Sequence, residues 1–335
     1  MEKRRLEYVD VARGIAMLCV IIGHLGIHDI DRVVFTFHIP LFYLISGYYI
    51  SEKSSLSDFV RHKAKTLLVP YYITGAVMIL LGMIKGLVTE GINGMIGYFA
   101  MFTTATIYGA GDTYKEPFTI IMIGATWFLW ATFWGNLFLK LSLKMRANTR
   151  IAFISALFLI GYYSRTLMWF PVSIQAGCCA TLFMYIGYLY KKSVSLRESC
   201  PVEIKYVWLL FATVVWAFFI KDFRSFWLVH CDIGRGVIDI FGTLCACYVV
   251  IQISKLISRI NWLKKGLSFI GRNSLIVLCV HNVELQLLRW WRIAPYLCKQ
   301  GMTMTHVTIL IILGKFVMDL SITWLISTMR RKTAE

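Results

Sequence analysis

Arg13 and His24 stand eleven residues apart in the first strongly apolar stretch of the chain, which begins at Tyr8. At about 100° per residue, eleven helical steps come to roughly three turns plus 20°. The two side chains therefore share one face, about 16 Å apart along the axis. Asp10 falls about 40° to the other side of that stripe. Ionisable groups in an apolar helix must face the bundle interior or a wet cavity, and they are functional candidates by default. An imidazole, with an ordinary pKa of about 6.5, suits proton transfer near neutrality. A guanidinium suits phosphate. A base partway along the helix and a cation nearer one mouth describe a reaction chamber. The plainer alternatives are an Arg13 that snorkels to the interface and a His24 that only hydrogen-bonds a neighbouring helix.

The second apolar stretch carries His38, Pro40, Ser46 and Gly47. It follows the first after a very short turn, which predicts an antiparallel hairpin with His24 and His38 in the same half. Pro40 removes a backbone donor and predicts a kink. Gly47 permits close helix packing beside Ser46. His38 is read either as a site group or as a helix-end histidine bonded to a backbone carbonyl.

These stretches belong to a membrane protein. Of 335 residues, 58% are hydrophobic, and mean hydropathy is +0.66. The fold class expected is an all-α polytopic bundle, a single membrane-embedded domain over 1–335. It has about ten transmembrane helices, at 8–27, 32–50, 67–88, 120–140, 151–164, 172–190, 206–220, 236–254, 268–288 and 305–328. With both termini cytoplasmic, the inner loops and tails hold 22 of the 35 Lys+Arg, including Lys3, Arg4 and Arg5, as the positive-inside rule requires. Arg13, Arg272 and Lys315 fall within spans. The net charge of +17 follows from topogenesis and contact with anionic lipid rather than from nucleic-acid binding. Asp10 and Arg13 interrupt the first stretch and no small-residue cleavage pattern follows, so it reads as a retained helix and not a signal peptide. The connection 89–119, rich in Gly and aromatics, is expected to dip back into the membrane or to line an outer vestibule.

Cys178-Cys179 and Cys245-x-Cys247 lack a second pair at zinc-site spacing and read as small apolar residues. Cys231 and Cys298 fall in outer loops, where a disulfide is an option. The remaining histidines are scattered along the sequence, and no metal is expected.

Asp10-x-x-Arg13-Gly14-Ile, Gly23-His24 and His38-x-Pro40-Leu-Phe-x-x-Ile-Ser46-Gly47 resemble the type 3 membrane acyltransferase family, which includes fucose 4-O-acetylase-like and polysaccharide O-acetyltransferases. Phe59-x-x-x-Lys63-x-Lys65-x-Leu-Leu-Val-Pro70-Tyr is similar to the family's basic segment, although Thr66 stands where many relatives carry another Arg or Lys. Trp127-Phe-Leu and Gly271-x-x-Ser274-Leu with His281 match later signatures, so the resemblance runs from residue 8 to about 285. The appended soluble hydrolase-like domain of some relatives is not expected here.

The resemblance implies acyl transfer, the acyl group expected being acetyl, from cytoplasmic acetyl-CoA to a hydroxyl of an envelope glycan or its lipid-linked precursor, in the inner (plasma) membrane. On that reading His24 is the general base. Arg13, Lys63 and Lys65 meet the donor phosphates, with Trp127 beside the donor. Ser46, His38 and Trp127 are the candidate donors to the developing oxyanion, and Asp10 joins the catalytic set through its place beside the stripe. The partners expected are acyl-CoA, the saccharide acceptor and membrane lipids, with a homodimer as an open option. The competing reading is a transporter or flippase whose Arg and His bind an anionic solute or relay protons. It would favour two related halves with broken helices, and no such repeat is visible.

Overall fold

The computed structural model describes residues 6–116 and 118–332. Lys3, Arg4 and Arg5, part of the charge argument, lie outside the described residues. Among the described residues the chain is helical, broken by two isolated β-bridges, Ala110–Met122 and Tyr114–Ile120. Six helical segments are long and apolar enough to cross a membrane: His28–Tyr48, Leu56–Tyr108, Pro171–Lys192, Val202–Lys221, Val237–Ile257 and Met304–Lys332. The chain is a multi-pass membrane protein.

The first two apolar stretches become three helices: α1 (Glu7–Gly23), α2 (His28–Val34) and α3 (His38–Tyr48). Pro40 lies in the first turn of α3, where it lacks the N–H that would reach Thr36 in a continuous helix. The break therefore falls at Phe35–Phe37, about one turn before the proline rather than at it. After Ser51–Ser55 come α4 (Leu56–Lys63), a π-helical turn (Ala64–Leu68) and α5 (Val69–Tyr108). Pro70 denies Thr66 its usual α-helical partner, which accounts for the wider turn in the preceding residues.

The connection after residue 88 is not a loop. Gly91 takes φ +70° within α5 and reverses the chain. Residues 92–108 then pack antiparallel on 69–90. A Cβ on Gly86 would sit 2.4 Å from the Gly94 carbonyl oxygen, and the Tyr71 hydroxyl donates to the Thr106 carbonyl across the hairpin at 2.8 Å. Glycines that read as loop signals are there so that two helices can touch.

The rest of the bundle comprises α6 (Trp127–Ser142), α7 (Ala147–Ser164), α8 (Ile174–Lys192), the short α9 (Val194–Glu198), α10 (Val202–Lys221), α11 (Val237–Ile257), α12 (Asn261–Arg272), α13 (Ser274–Leu287), α14 (Ala294–Lys299) and α15 (Met304–Lys332). Two expected spans are shorter than drawn. α6 starts at Trp127 because Gly124, at φ +82°, holds the preceding segment out of the helix. The 268–288 block is divided at Asn273 between α12 and α13. α8 is the central helix, packed against α3, α6 and α7, while α5, α10 and α15 turn many large apolar side chains outward, as lipid-facing helices do.

Glycines in the family-like motifs set the closest contacts. A Cβ on Gly271 of α12 would lie 1.8 Å from the Asp10 carbonyl oxygen of α1, and one on Gly14 would lie 2.2 Å from that of Leu267. The same pairing joins Gly47 of α3 to Met184 and Gly187 of α8 to Leu44, at 1.8 and 2.0 Å. These backbone approaches lock α1 to α12 and α3 to α8, the walls of the site. Cys231 is buried in the principal core, whereas Cys298 packs in a separate cluster with Leu25 and Val307. Both are free thiols, so the proposed pairing is not made.

Candidate active site

A cavity of about 630 Å³ runs between α1, α3, the α4–α5 junction, the start of α6 and the α12–α13 junction. Arg13, His24, His38, Ser46, Lys63 and Trp127 all line it. Asp10 and Lys65 do not. Asp10 is buried, with its backbone against Gly271 of α12. Lys65 is exposed, because positions two apart on a helix face opposite ways and Lys63 takes the inner side.

One end of the cavity is cationic. Arg13 is joined there by Lys63, by His62 and by Arg272 from the end of α12. The Arg13 guanidinium stands 5.8 Å from the centre of the Tyr49 ring. The other end is aromatic and holds the imidazoles. A Cβ on Gly23 would lie 3.2 Å from the Val34 side chain and 3.4 Å from the Phe35 ring, and Phe35 meets the His38 ring edge-on at 5.0 Å.

α1 ends at Gly23, so His24 caps the helix instead of lying within it. Its Nδ1 lies 2.7 Å from the Val20 carbonyl oxygen, satisfying one of the carbonyls a helix end leaves open. That contact requires the proton on Nδ1, which leaves a lone pair on Nε2. His38 makes the same bond to Val34 at 2.5 Å, the helix-end arrangement weighed as its plain reading. In the neutral form it too keeps a lone pair on Nε2, so it does not donate to an oxyanion.

The donors are elsewhere. Asn136 Nδ2 donates to Ser46 Oγ at 2.9 Å and to the Thr132 carbonyl at 2.7 Å, and the Ser46 hydroxyl donates back to Asn136 Oδ1 at 3.1 Å, so Ser46 reaches the cavity as a donor only by turning away from Asn136. Thr132 also lines the cavity, and its buried hydroxyl has no hydrogen-bond partner among the described residues.

Behind His24 lies a buried polar cluster. His281 Nε2 is 3.3 Å from His24 Nδ1. On its far side, His281 Nδ1 is 3.0 Å from both Asp319 Oδ2 and Glu284 Oε2. Lys315 Nζ donates to Glu284 Oε1 at 2.5 Å, and the Trp290 indole donates to the same oxygen. A placement of protons that serves the His24–His281–Asp319 path leaves Glu284 Oε2 and Asp319 Oδ1 without a hydrogen-bond partner among the described residues. His281 carries its proton on Nδ1, toward the carboxylates, and its Nε2 shares the His24 Nδ1–H with Val20. His281 is then neutral, and two carboxylates face one ammonium, a net charge of about −1 behind the base.

His281, Glu284 and Asp319 could also present ligand atoms to a metal, all within 4.8 Å of one another. Lys315 already stands where a cation would balance the charge. Sequence reasoning named His281 in a family signature and Arg272 and Lys315 as charges within spans without placing them at the site, and it did not name Glu284, Asp319, His62, Thr132 or Asn136. A signal was present: Glu284, Lys315 and Asp319 are ionisable groups in apolar spans, and His281-x-x-Glu284 shares one helix face.

Individual curated proteins and solved structures give no match to this chain. A family model described as an acyltransferase domain matches residues 6–327, and the chain belongs to the type 3 membrane acyltransferase family that this model defines.

Proposed function

We propose that this membrane acyltransferase moves an acyl group, acetyl being the simplest, from acyl-CoA to a hydroxyl of an envelope glycan or its lipid-linked precursor. The observation that carries the reading is the single cavity with a cationic end at Arg13, Lys63 and Arg272 and a base at His24. The CoA phosphates lie at the cationic end, where guanidinium groups bind them bidentately. The pantetheine arm follows α1 to the thioester beside His24, about 16 Å away by helical rise.

The acceptor hydroxyl gives its proton to His24 Nε2 as its oxygen bonds to the thioester carbon. Of the hydroxyls lining the cavity, Thr132, and Ser46 on turning from Asn136, donate to the carbonyl oxygen as it becomes negative. When the C–S bond breaks, the proton on His24 passes to the CoA sulfur, leaving an ester and free thiol. His24 is an imidazolium only between those two events. Its positive charge is then matched by the net negative charge beyond His281, an electrostatic arrangement fixed before the reaction starts.

The same proposal places about ten membrane crossings, both termini in the cytoplasm and the protein in the inner membrane, so that the basic mouth faces the CoA pool. Membership of an acyltransferase family sets the transporter reading aside. Purified protein given acetyl-CoA and a glycan extract should release free thiol in proportion to ester formed. Thiol release that is absent, or unchanged in His24→Ala, overturns the assignment.

A further inference from the structure

A second cavity, of about 820 Å³, lies between the N-terminal part of α1, the end of α3, the end of α8 with α9, and helices α10 and α11. The transfer chemistry does not use it. Its polar part is cationic: Arg197, Lys205 and Lys255 line it against one carboxylate, Glu198. Arg197 is held in place, with its guanidinium 3.5 Å from the centre of the Tyr190 ring and one N–H donating to Ser193 Oγ at 2.6 Å. Lys255 stands 5.3 Å from the Tyr8 ring and 3.2 Å from Gln252 Oε1. Tyrosines and long basic side chains together are what a membrane–water interface selects.

The remaining wall is hydrocarbon-like. Trp208, Leu209, Phe241 and Leu244 form a trough leading from the cations. Trp208 and Phe241 remain 45% and 41% exposed. They belong to α10 and α11, and only 11% of the apolar window of α10 is buried within the protein. The trough is therefore continuous with the surface that meets lipid.

A cationic pocket that runs into an apolar trough on a lipid-facing surface complements an amphiphile with an anionic head. We propose that this cavity is a specific site for one phosphate-headed anionic lipid. The phosphate sits among Arg197, Lys205 and Lys255, and an acyl chain lies along Trp208 and Phe241. Acetyl-CoA offers phosphates but no long chain, and Tyr49 lines both cavities as part of the wall between them.

Native mass spectrometry of the full-length protein in detergent tests the site with four probes: phosphatidylglycerol, phosphatidylcholine with the same chains, glycerol phosphate, and CoA. The expected result is one tightly retained phosphatidylglycerol, with phosphatidylcholine and glycerol phosphate each retained far less. Arg197→Gln/Lys205→Gln/Lys255→Gln should weaken that binding by about a hundredfold. Lys205→Glu/Lys255→Glu, which leaves the Arg197 contacts intact, should weaken it at least as much. Retention of phosphatidylcholine equal to that of phosphatidylglycerol overturns the proposal, as does unchanged binding in both variants. Equal binding of glycerol phosphate removes the lipid tail from the site, and displacement of phosphatidylglycerol by CoA, one for one, makes the cavity part of the donor site.

Discussion

If the cluster behind His24 stabilises its charged form, removing His281 should slow the chemical step and leave donor binding alone. His281→Asn takes away the ring nitrogen that shares the His24 Nδ1 proton at 3.3 Å. A hydrogen bond to a charged group contributes about 1.5–3 kcal/mol, which corresponds to roughly 10- to 150-fold in rate. The 3.3 Å separation is long for such a bond and Val20 keeps its share of the proton, so the loss should fall in the lower part of that range, about 10- to 30-fold in kcat. Asp319→Asn acts through the same ring. Its amide can donate to His281 Nδ1 and drive the proton to Nε2, against the His24 N–H, so it should cost a similar factor. Because both act through one imidazole, the double variant should be no slower than His281→Asn alone. Initial rates of thiol release at saturating acyl-CoA and acceptor read kcat, and calorimetry with a non-hydrolysable acyl-CoA analogue reads donor binding, each on protein with unchanged thermal melting. A His281→Asn enzyme at full kcat refutes the reasoning. So does an Asp319→Asn substitution that costs as much in the His281→Asn background as in the parent.

The other predictions separate binding, chemistry and packing. His24→Ala should lower kcat by roughly 10²–10⁴ while the analogue still binds. Arg13→Lys should weaken analogue binding and retain some turnover, with Arg13→Ala worse; parent-like affinity in Arg13→Ala would make Arg13 a topology marker. Gly47→Ala forces a Cβ to within 1.8 Å of the Met184 oxygen and should cost about 1–3 kcal/mol, seen as a lower melting temperature. Gly266→Ala meets nothing within 4 Å on α12 and should gain a few tenths to about 1 kcal/mol. In right-side-out vesicles, single cysteines at Lys53→Cys and Arg224→Cys should be labelled from opposite faces, and labelling of both from one face breaks the ten-crossing topology.

What could be read from the sequence follows the range over which each signal acts. Arg13 lies in α1 and His24 caps it directly after Gly23, so the periodicity of one helix was enough to bring them toward a common face, and both line the cavity. Gly47 declared its packing role because a glycine beside Ser46 in an apolar helix has few other uses. The His281 cluster could not be assembled that way. His281 is separated from His24 by 257 residues and from Asp319 by 38, and no local pattern records which of many helices become neighbours. The return arm of α5 was legible only as a connection that dips back or lines a vestibule, and its helical form was not. Gly91 and Gly94 fall in the Gly-rich stretch read as a connection, yet Gly91 makes the turn and Gly94 meets Gly86 of the expected span 67–88 in a helix–helix contact. The break before Pro40 and the late start of α6 are matters of a few residues, set by which carbonyls lose a partner.

The cost of the cluster is itself an argument for its use. Two carboxylates, an ammonium and an imidazole buried together lose hydration that their mutual attraction repays only in part, and apolar residues of similar volume usually pack at least as stably. Glu284, Asp319, Lys315 and His281 are all buried, so fold stability alone gives little reason for four such groups to share one place. Their arrangement has a direction, however. The positive Lys315 stands on the far side of Glu284 from His281, and both carboxylates lie on the far side of His281 from His24. A proton arriving at His24 meets a neutral ring first and negative charge beyond it. In the proposed mechanism, that geometry stabilises the protonated base without placing a carboxylate next to the hydroxyl it must deprotonate.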